Sequence, residues 1–408
     1  MQIDKFIKNN IVIFLAANTG ALFNLLYQLV MARLLSPALF AGLNSLLSLL
    51  TIITVPLAAF SIMLTKHISS SNARNESEEL KSIWRKLSAH ALIFSCVVFF
   101  IVVVFSRGIS GFLHLDSQTA IIILGGIFFL TGISAPFTGV LQGLEKFNWL
   151  AFVMVLSGFL KLAFSVGMVK FFSPLNGALL GFLVAVFLGV TLSALPVRFL
   201  FLSKPAKNVD LKKLYFYIFP VLCVSLCMAL LTNIDMVMVK HFFVKEASAY
   251  SFAQMVGKIV FFLPGMASVV LFSRASGLHA TNSDSRNVLK QSLVFTCAVC
   301  LLAAAIYNLF PHVCLRILTG SSSSESIALG RFFSFAMFFL AVNNILFSYQ
   351  LSTEKYYFIR PLIIATVLQI AAIALLHKNI FWVISIVLVN SLVIFAMNLK
   401  SAFARTTK

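Results

Sequence analysis

The run Asn9–Ala32, NNIVIFLAANTGALFNLLYQLVMA, holds no acidic or basic side chain over 24 residues. About 20 mostly apolar residues in a helix cross the hydrocarbon core of a bilayer, so this run is long enough to span one. Lys5 and Lys8 precede it in the manner of a signal peptide. The run nevertheless exceeds the apolar core of such a peptide, about 7–15 residues, and no small-residue cleavage site closes it. It reads as a first transmembrane helix.

Working outward, eleven further charge-poor runs follow, at about 39–65, 88–106, 119–143, 149–172, 175–200, 214–239, 249–273, 291–311, 327–351, 360–377 and 379–399. The composition agrees. Of 408 residues, 60% are hydrophobic and 11% charged, with mean hydropathy +1.01. Soluble domains run near 25% charged, so a water-soluble protein, a disordered chain and a coiled coil are all excluded. The expected fold is an all-α polytopic membrane protein of about 12 transmembrane helices. Pro56, Pro136, Pro220 and Pro264 fall inside runs, which membrane helices tolerate when neighbours satisfy the freed backbone groups. Between Leu34 and Thr65 a turn is expected at Ser36-Pro37.

The formal net charge is +19. In a soluble protein that excess would suggest nucleic acid; here no nucleic-acid partner is expected, and membrane lipid headgroups account for it. With the N-terminus inside, 21 Lys and Arg residues fall on the inner side and eight on the outer or at outer helix ends. The positive-inside rule therefore places both termini in the cytoplasm. The segment Lys66–Lys86 mixes both signs of charge and reads as a solvated loop or short surface helix. Ser203–Lys213, with Pro205 and four lysines, is the best linker. The expected organisation is an N-lobe over 1–202 (helices 1–6), a cytoplasmic linker over 203–213, and a C-lobe over 214–408 (helices 7–12). Six cysteines show no disulfide or zinc spacing, and the Cys297/Cys300 pair lies inside an apolar run, so they read as small apolar filler.

The halves repeat weakly. At an offset of 207–209, Met31-Ala-Arg33 aligns with Met238-Val-Lys240, Pro56 with Pro264, and Thr65-Lys66 with Ser273-Arg274. Glu145-Lys146-Phe147 aligns with Glu354-Lys355-Tyr356. Six spans separate the copies, so both halves take the same orientation. Two parallel six-helix lobes around a central cavity are a transporter architecture.

These residues carry a resemblance. Arg33-Leu-Leu-Ser-Pro-Ala-Leu-Phe-Ala-Gly42 resembles the first-loop signature of the polysaccharide (oligosaccharide, O-antigen-type) flippase branch of the MOP exporter superfamily. Leu141-Gln-Gly-Leu-Glu-Lys-Phe147 resembles its fourth-helix exit motif, and Asp235–Phe242 through Tyr250 to Pro264 resembles the start of its second lobe. The resemblance implies two six-helix lobes around a cavity, and export of a polyprenyl-pyrophosphate-linked oligosaccharide to the outer leaflet, with a polysaccharide polymerase as a partner. The chain departs from many members in stopping at twelve spans rather than fourteen. Multidrug/cation antiporters of the same superfamily tend to carry an acid in the first helix. Residues 9–32 have none, and Gln28 stands where the repeat pairs with Asp235.

An ionisable side chain inside the bilayer costs a few kcal/mol on insertion scales and is a functional candidate by default. Lys161 lies ~20 Å into span five, near mid-membrane. It is expected to offer donors to a pyrophosphate in a cavity, against snorkelling as the alternative. Lys258 and Asp235 lie in the outer halves of spans eight and seven. Lys258 is either a substrate ligand or the ion-pair partner of Asp235, and Asp235 is either a gating or coupling group or the partner of Lys240 or Lys258. Arg33 is an interface anchor or an outer-gate contact. Asn24 and Gln28 share one face of span one, as do Thr232 and Asp235 on span seven, and both stripes suit a wet cavity or polar helix–helix contacts.

No HExxH, GxSxG or P-loop occurs, so the chain reads as a non-enzyme without a cofactor, moved by a gradient or by downstream consumption. A monomer is the reading taken for the oligomeric state. Two other readings stay open: a cation-coupled multidrug antiporter, and a non-transporting scaffold of an envelope-assembly complex.

Overall fold

A computed structural model describes residues 2–73, 77–200, 212–280 and 284–403, and the regular structure among them is helical. In chain order the helices are α1 (Gln2–Leu34), α2 (Pro37–Ala73), α3 (Ser77–Val104), α4 (Ser106–Phe112), α5 (Thr119–Gly143), α6 (Phe147–Phe171) and α7 (Pro174–Ala194). A 3₁₀ turn over Leu195–Leu200 follows. Then come α8 (Lys212–Phe242), α9 (Ala247–Phe262), α10 (Gly265–Ala280), α11 (Arg286–Leu309), α12 (Pro311–Thr319), α13 (Ser324–Ser352), α14 (Ile359–Leu375) and α15 (Ile380–Phe403). The chain forms two compact units, Met1–Ile218 and Phe219–Lys408. The expected linker lies outside the described residues as far as Leu211.

Ten of the described helices are long and apolar enough to cross a membrane. The two other expected spans are shorter. One is α14, of 17 residues. The other, at 249–273, is not one helix but two of 16 residues each, α9 and α10, separated at Leu263-Pro264. Proline removes an N–H and crowds the carbonyl four residues earlier, and here α10 restarts from the Pro264 carbonyl, which accepts from the Ala267 N–H at 2.8 Å. Pro56, Pro136 and Pro220 stay inside α2, α5 and α8.

The reading of Lys66–Lys86 as a solvated loop or short surface helix is corrected: its described residues belong to the long helices α2 and α3. Helix α2 has 37 residues, about 55 Å of helix against a hydrocarbon core of about 30 Å, so it continues beyond the bilayer. Helix α3 begins at Ser77, and residues 74–76 lie outside the described set. Ile68 of α2 and Leu80, Ile83, Trp84 and Leu87 of α3 are all buried. Their i, i+3, i+4, i+7 spacing is a helical stripe that the surrounding charges masked.

Each unit is built around one helix. In the first, α5 has 61% of its span buried and packs on α2, α3 and α7. In the second, α13 has 67% buried and packs on α9, α10, α11 and α15. Glycine permits the closest approaches. A Cβ at Gly139 would lie 2.6 Å from the Ser61 carbonyl oxygen, and one at Gly181 would collide with the Ser165 backbone. Gly177 and Gly181, four apart on α7, thus let α7 press against α6, as small residues do between membrane helices.

Both central helices end in the same turn. Glu145 and Glu354 are left-handed, with φ of 55° in each. The Lys146 N–H reaches the Leu141 carbonyl and the Lys355 N–H the Gln350 carbonyl, both at 2.9 Å. Glu145 N–H to Gln142 at 3.1 Å and Glu354 N–H to Leu351 at 3.2 Å complete two Schellman caps. The repeat read at offset 209 is therefore a repeat of backbone conformation as well as of residue type.

Candidate functional site

In the first unit, Lys161 projects from the middle of α6 and is 9% exposed. Its Nζ donates to Asn24 Oδ1 on α1 at 2.9 Å. The Asn24 amide is itself anchored, its Nδ2 donating to the Gly20 carbonyl at 3.1 Å. Two rings flank the ammonium: Tyr27 of α1, with its centroid 4.3 Å away, and Phe182 of α7, at 3.9 Å. Such faces replace part of the hydration a buried cation loses. Backbone contacts hold the cage. The Ala178 carbonyl of α7 accepts from the Ser165 hydroxyl at 2.9 Å and from the Tyr27 hydroxyl at 3.4 Å.

An ammonium carries three N–H donors. Among the described residues Asn24 is the one hydrogen-bond acceptor at Lys161, and no carboxylate pairs with it. The cluster is a buried lysine with donor capacity left over. Chemically it can hold an anion.

The second unit holds the opposite charge. Asp235 of α8 is fully buried. The Tyr250 hydroxyl of α9 donates to its Oδ2 at 2.8 Å, and Gln254 Nε2 donates to Oδ1 at 3.3 Å. Lys258, half-buried on α9, lies within electrostatic reach of the carboxylate. Tyr250, Gln254 and Lys258 stand at i, i+4 and i+8, one face of α9 turned to α8. An edge-on contact with Phe333 at 4.8 Å fixes the Tyr250 ring. Here the charge has its donors supplied and a counter-charge close by.

Of the expected site residues, Lys161 and Asn24 come together in one unit, and Asp235 and Lys258 in the other. Gln28 is half-buried one turn beyond Asn24, and Arg33 is exposed in the last turn of α1. Thr232 turns its hydroxyl back to the Met228 carbonyl at 2.7 Å rather than outward. Lys240, in the last turn of α8, is 4% exposed. Tyr27, Ser165, Phe182 and Gln254 were not singled out from sequence. Tyr27 was within reach, three residues from Asn24 on the same face of α1. Among the described residues, no group of three His, Cys, Asp or Glu side chains is placed to hold a metal ion.

Residues 6–279 match a family model described as polysaccharide biosynthesis protein. Solved structures share the architecture at low identity. An inward-facing multidrug resistance MATE family transporter of the MOP superfamily is 14% identical, with TM-score 0.77 over 94% of this chain and 94% of that chain. The lipid II flippase MurJ, inward closed, is 13% identical, with TM-score 0.70 over 97% of this chain and 88% of that one. A Vibrio cholerae MATE transporter is 14% identical, with TM-score 0.70 over 97% and 95%. A comparison with curated protein sequences gives no match. The structural likenesses establish the fold, and the family match spans more than half of the sequence. The chain belongs to the polysaccharide biosynthesis protein family and shares its fold with these MATE transporters and the lipid II flippase.

Proposed function

We propose that this protein flips a polyprenyl-pyrophosphate-linked oligosaccharide from the inner to the outer leaflet of a bacterial inner membrane by alternating access. The reading rests on one observation: Lys161 is a buried ammonium, caged by two aromatic rings, with hydrogen-bond donors unused and no acid beside it. A pyrophosphate entering a low-dielectric site needs a preplaced cation to replace its water, and charge-assisted hydrogen bonds from an ammonium meet that need. Asn24 holds the ammonium in place, so little ordering is left to the moment of binding. Membership of a polysaccharide biosynthesis family and a fold shared with a lipid II flippase agree with a lipid-linked glycan as cargo.

In this reading Asp235, Tyr250, Gln254 and Lys258 fasten α8 to α9 rather than touch the phosphate. Lys258 thus leaves the set of expected substrate ligands. The multidrug-antiporter reading is disfavoured, because a cationic drug would meet a positive charge at the Lys161 cage.

The test is reconstitution. Vesicles containing the purified protein and a fluorescent polyprenyl-pyrophosphate oligosaccharide should move the glycan across the bilayer, and should fail to move a lipophilic cationic dye. Dye movement without glycan movement would overturn the assignment in favour of the antiporter.

A further inference from the structure

Two short helices, α4 and α12, stand at matching points of the repeat, α4 directly after α3 and α12 directly after α11. They carry arginines at the repeat offset: Arg107 on α4 and Arg316 on α12 lie 209 positions apart. Their surroundings repeat residue by residue. Ser106 to Gly111 and Leu315 to Gly320 both run buried, exposed, exposed, half-buried, buried, exposed. Each copy also turns a buried hydroxyl into its own ending, Ser110 to the Leu115 carbonyl at 3.0 Å and Thr319 to the Ser321 carbonyl at 2.8 Å.

Both arginines are exposed, and neither guanidinium has a carboxylate partner or hydrogen bond among the described residues. Beside them the exposed surface is apolar. Phe105 is 61% exposed next to Arg107, and Val313 and Ile317 are 55% and 60% exposed next to Arg316. The helix leading into each site presents the same kind of surface up to its end: Phe100 and Val104 on α3, Leu302 and Leu309 on α11. That strip is the lipid-facing wall of a spanning helix, and it stops where the arginine begins. An apolar face adjoining a guanidinium at the end of a membrane span is the arrangement of a segment lying in the headgroup layer.

We infer that α4 and α12 lie in the headgroup layer of one leaflet, the outer one in the N-inside topology, and that Arg107 and Arg316 each hold the phosphate of an anionic phospholipid. A guanidinium suits this task because its planar fork donates two parallel hydrogen bonds to a phosphate. The positive-inside rule makes arginine uncommon on the outer side, so its presence at both related positions calls for a local ligand. The inference uses no part of the Lys161 site and stands or falls separately from the cargo.

The experiment uses the full chain in detergent micelles and in vesicles. Added phosphatidylglycerol should raise the melting temperature of the wild type. R107Q and R316Q should each lose about half of that shift, and the double variant all of it, while R107K and R316K keep part. Inorganic phosphate alone should leave the melting temperature unchanged. Separately, F105W and V313W in vesicles should be quenched by lipids brominated near the headgroup and spared by lipids brominated at the chain ends. A full phosphatidylglycerol shift in the double variant, the same shift with inorganic phosphate, or quenching only from the chain ends would overturn the proposal. The tryptophan reporters keep it testable even where an arginine variant fails to fold.

Discussion

The two units answer the same problem, a charged side chain among membrane helices, in opposite ways. In the first, Lys161 is caged by aromatic rings and tied to one amide, with its remaining donors unfilled. In the second, Asp235 receives a tyrosine hydroxyl and a glutamine amide and has Lys258 within reach. The helix pairs that follow differ as well. Unit one brings α6 and α7 together through Gly181 against backbone. At the position 209 residues on, unit two has Asn390, whose amide donates to Gln369 Oε1 at 2.8 Å. A repeat that keeps its central helix and its turns has thus placed a satisfied charge in one copy and an unsatisfied one in the other. A satisfied charge holds structure; in the proposed function the unsatisfied one meets the substrate phosphate.

The comparison is broken most forcefully at Asp235. Removing one member of a buried charge pair leaves the other uncompensated, typically at 3–5 kcal/mol. Asp235→Ala should lower stability by about that amount in detergent unfolding, and Lys258→Met on top of it should recover much of the loss. A loss under about 1 kcal/mol would place Asp235 in the same class as Lys161. Next in size is Gly181→Val. Its side chain would press on the Ser165 backbone, and overpacking of this kind costs about 1–3 kcal/mol. Because the same contact sets the Lys161 cage, transport should fall with stability in this variant. Smallest is the effect at the twin turns. A non-glycine residue in the left-handed region is disfavoured by roughly 1–2 kcal/mol, part of which glycine returns through unfolded-state freedom. Glu145→Gly and Glu354→Gly should therefore each stabilise by about 0.5–1 kcal/mol, by equal amounts, as read in thermal melts. Unequal or opposite effects would show that the turns match in backbone only.

Much of this was legible in the residues, because hydropathy is the strongest signal a membrane chain carries. The long runs, the turn after Leu34 and the offset repeat all follow from apolar length and a few matched side chains. Lys161, Lys258 and Asp235 stood out because a charge in an apolar run is rare. What failed to stand out was ordinary in composition. Among 43 phenylalanines, Phe182 has nothing to mark it as a wall of a cation cage. The Tyr250–Gln254–Lys258 stripe was present at helical spacing, but its partner Asp235 lies on another helix, and only packing joins them. In the Lys66–Lys86 segment, charges at i, i+4 hid the buried stripe through Leu80, Ile83 and Leu87. The break at Pro264 was undecidable from its residue type, since three other prolines of this chain sit inside continuous helices. The left-handed glutamates carried no local sign, because glycine or asparagine is the usual occupant there.

The central claim is that Lys161 serves a ligand and not the fold, and Lys161→Met tests it most directly. Methionine keeps the unbranched stem and most of the volume, so the Tyr27–Phe182 cage stays filled while the ammonium is gone. A buried charge without an acid partner adds little to stability, and its replacement by a well-packed apolar side chain is often neutral or stabilising. The variant should melt at or above the wild-type temperature, insert normally and lose glycan transport in reconstituted vesicles by at least about tenfold, the equivalent of 1.4 kcal/mol. Lys161→Arg should keep part of the transport. A variant that melts several degrees lower yet transports the glycan at the wild-type rate would contradict the account, making Lys161 a structural charge like Asp235.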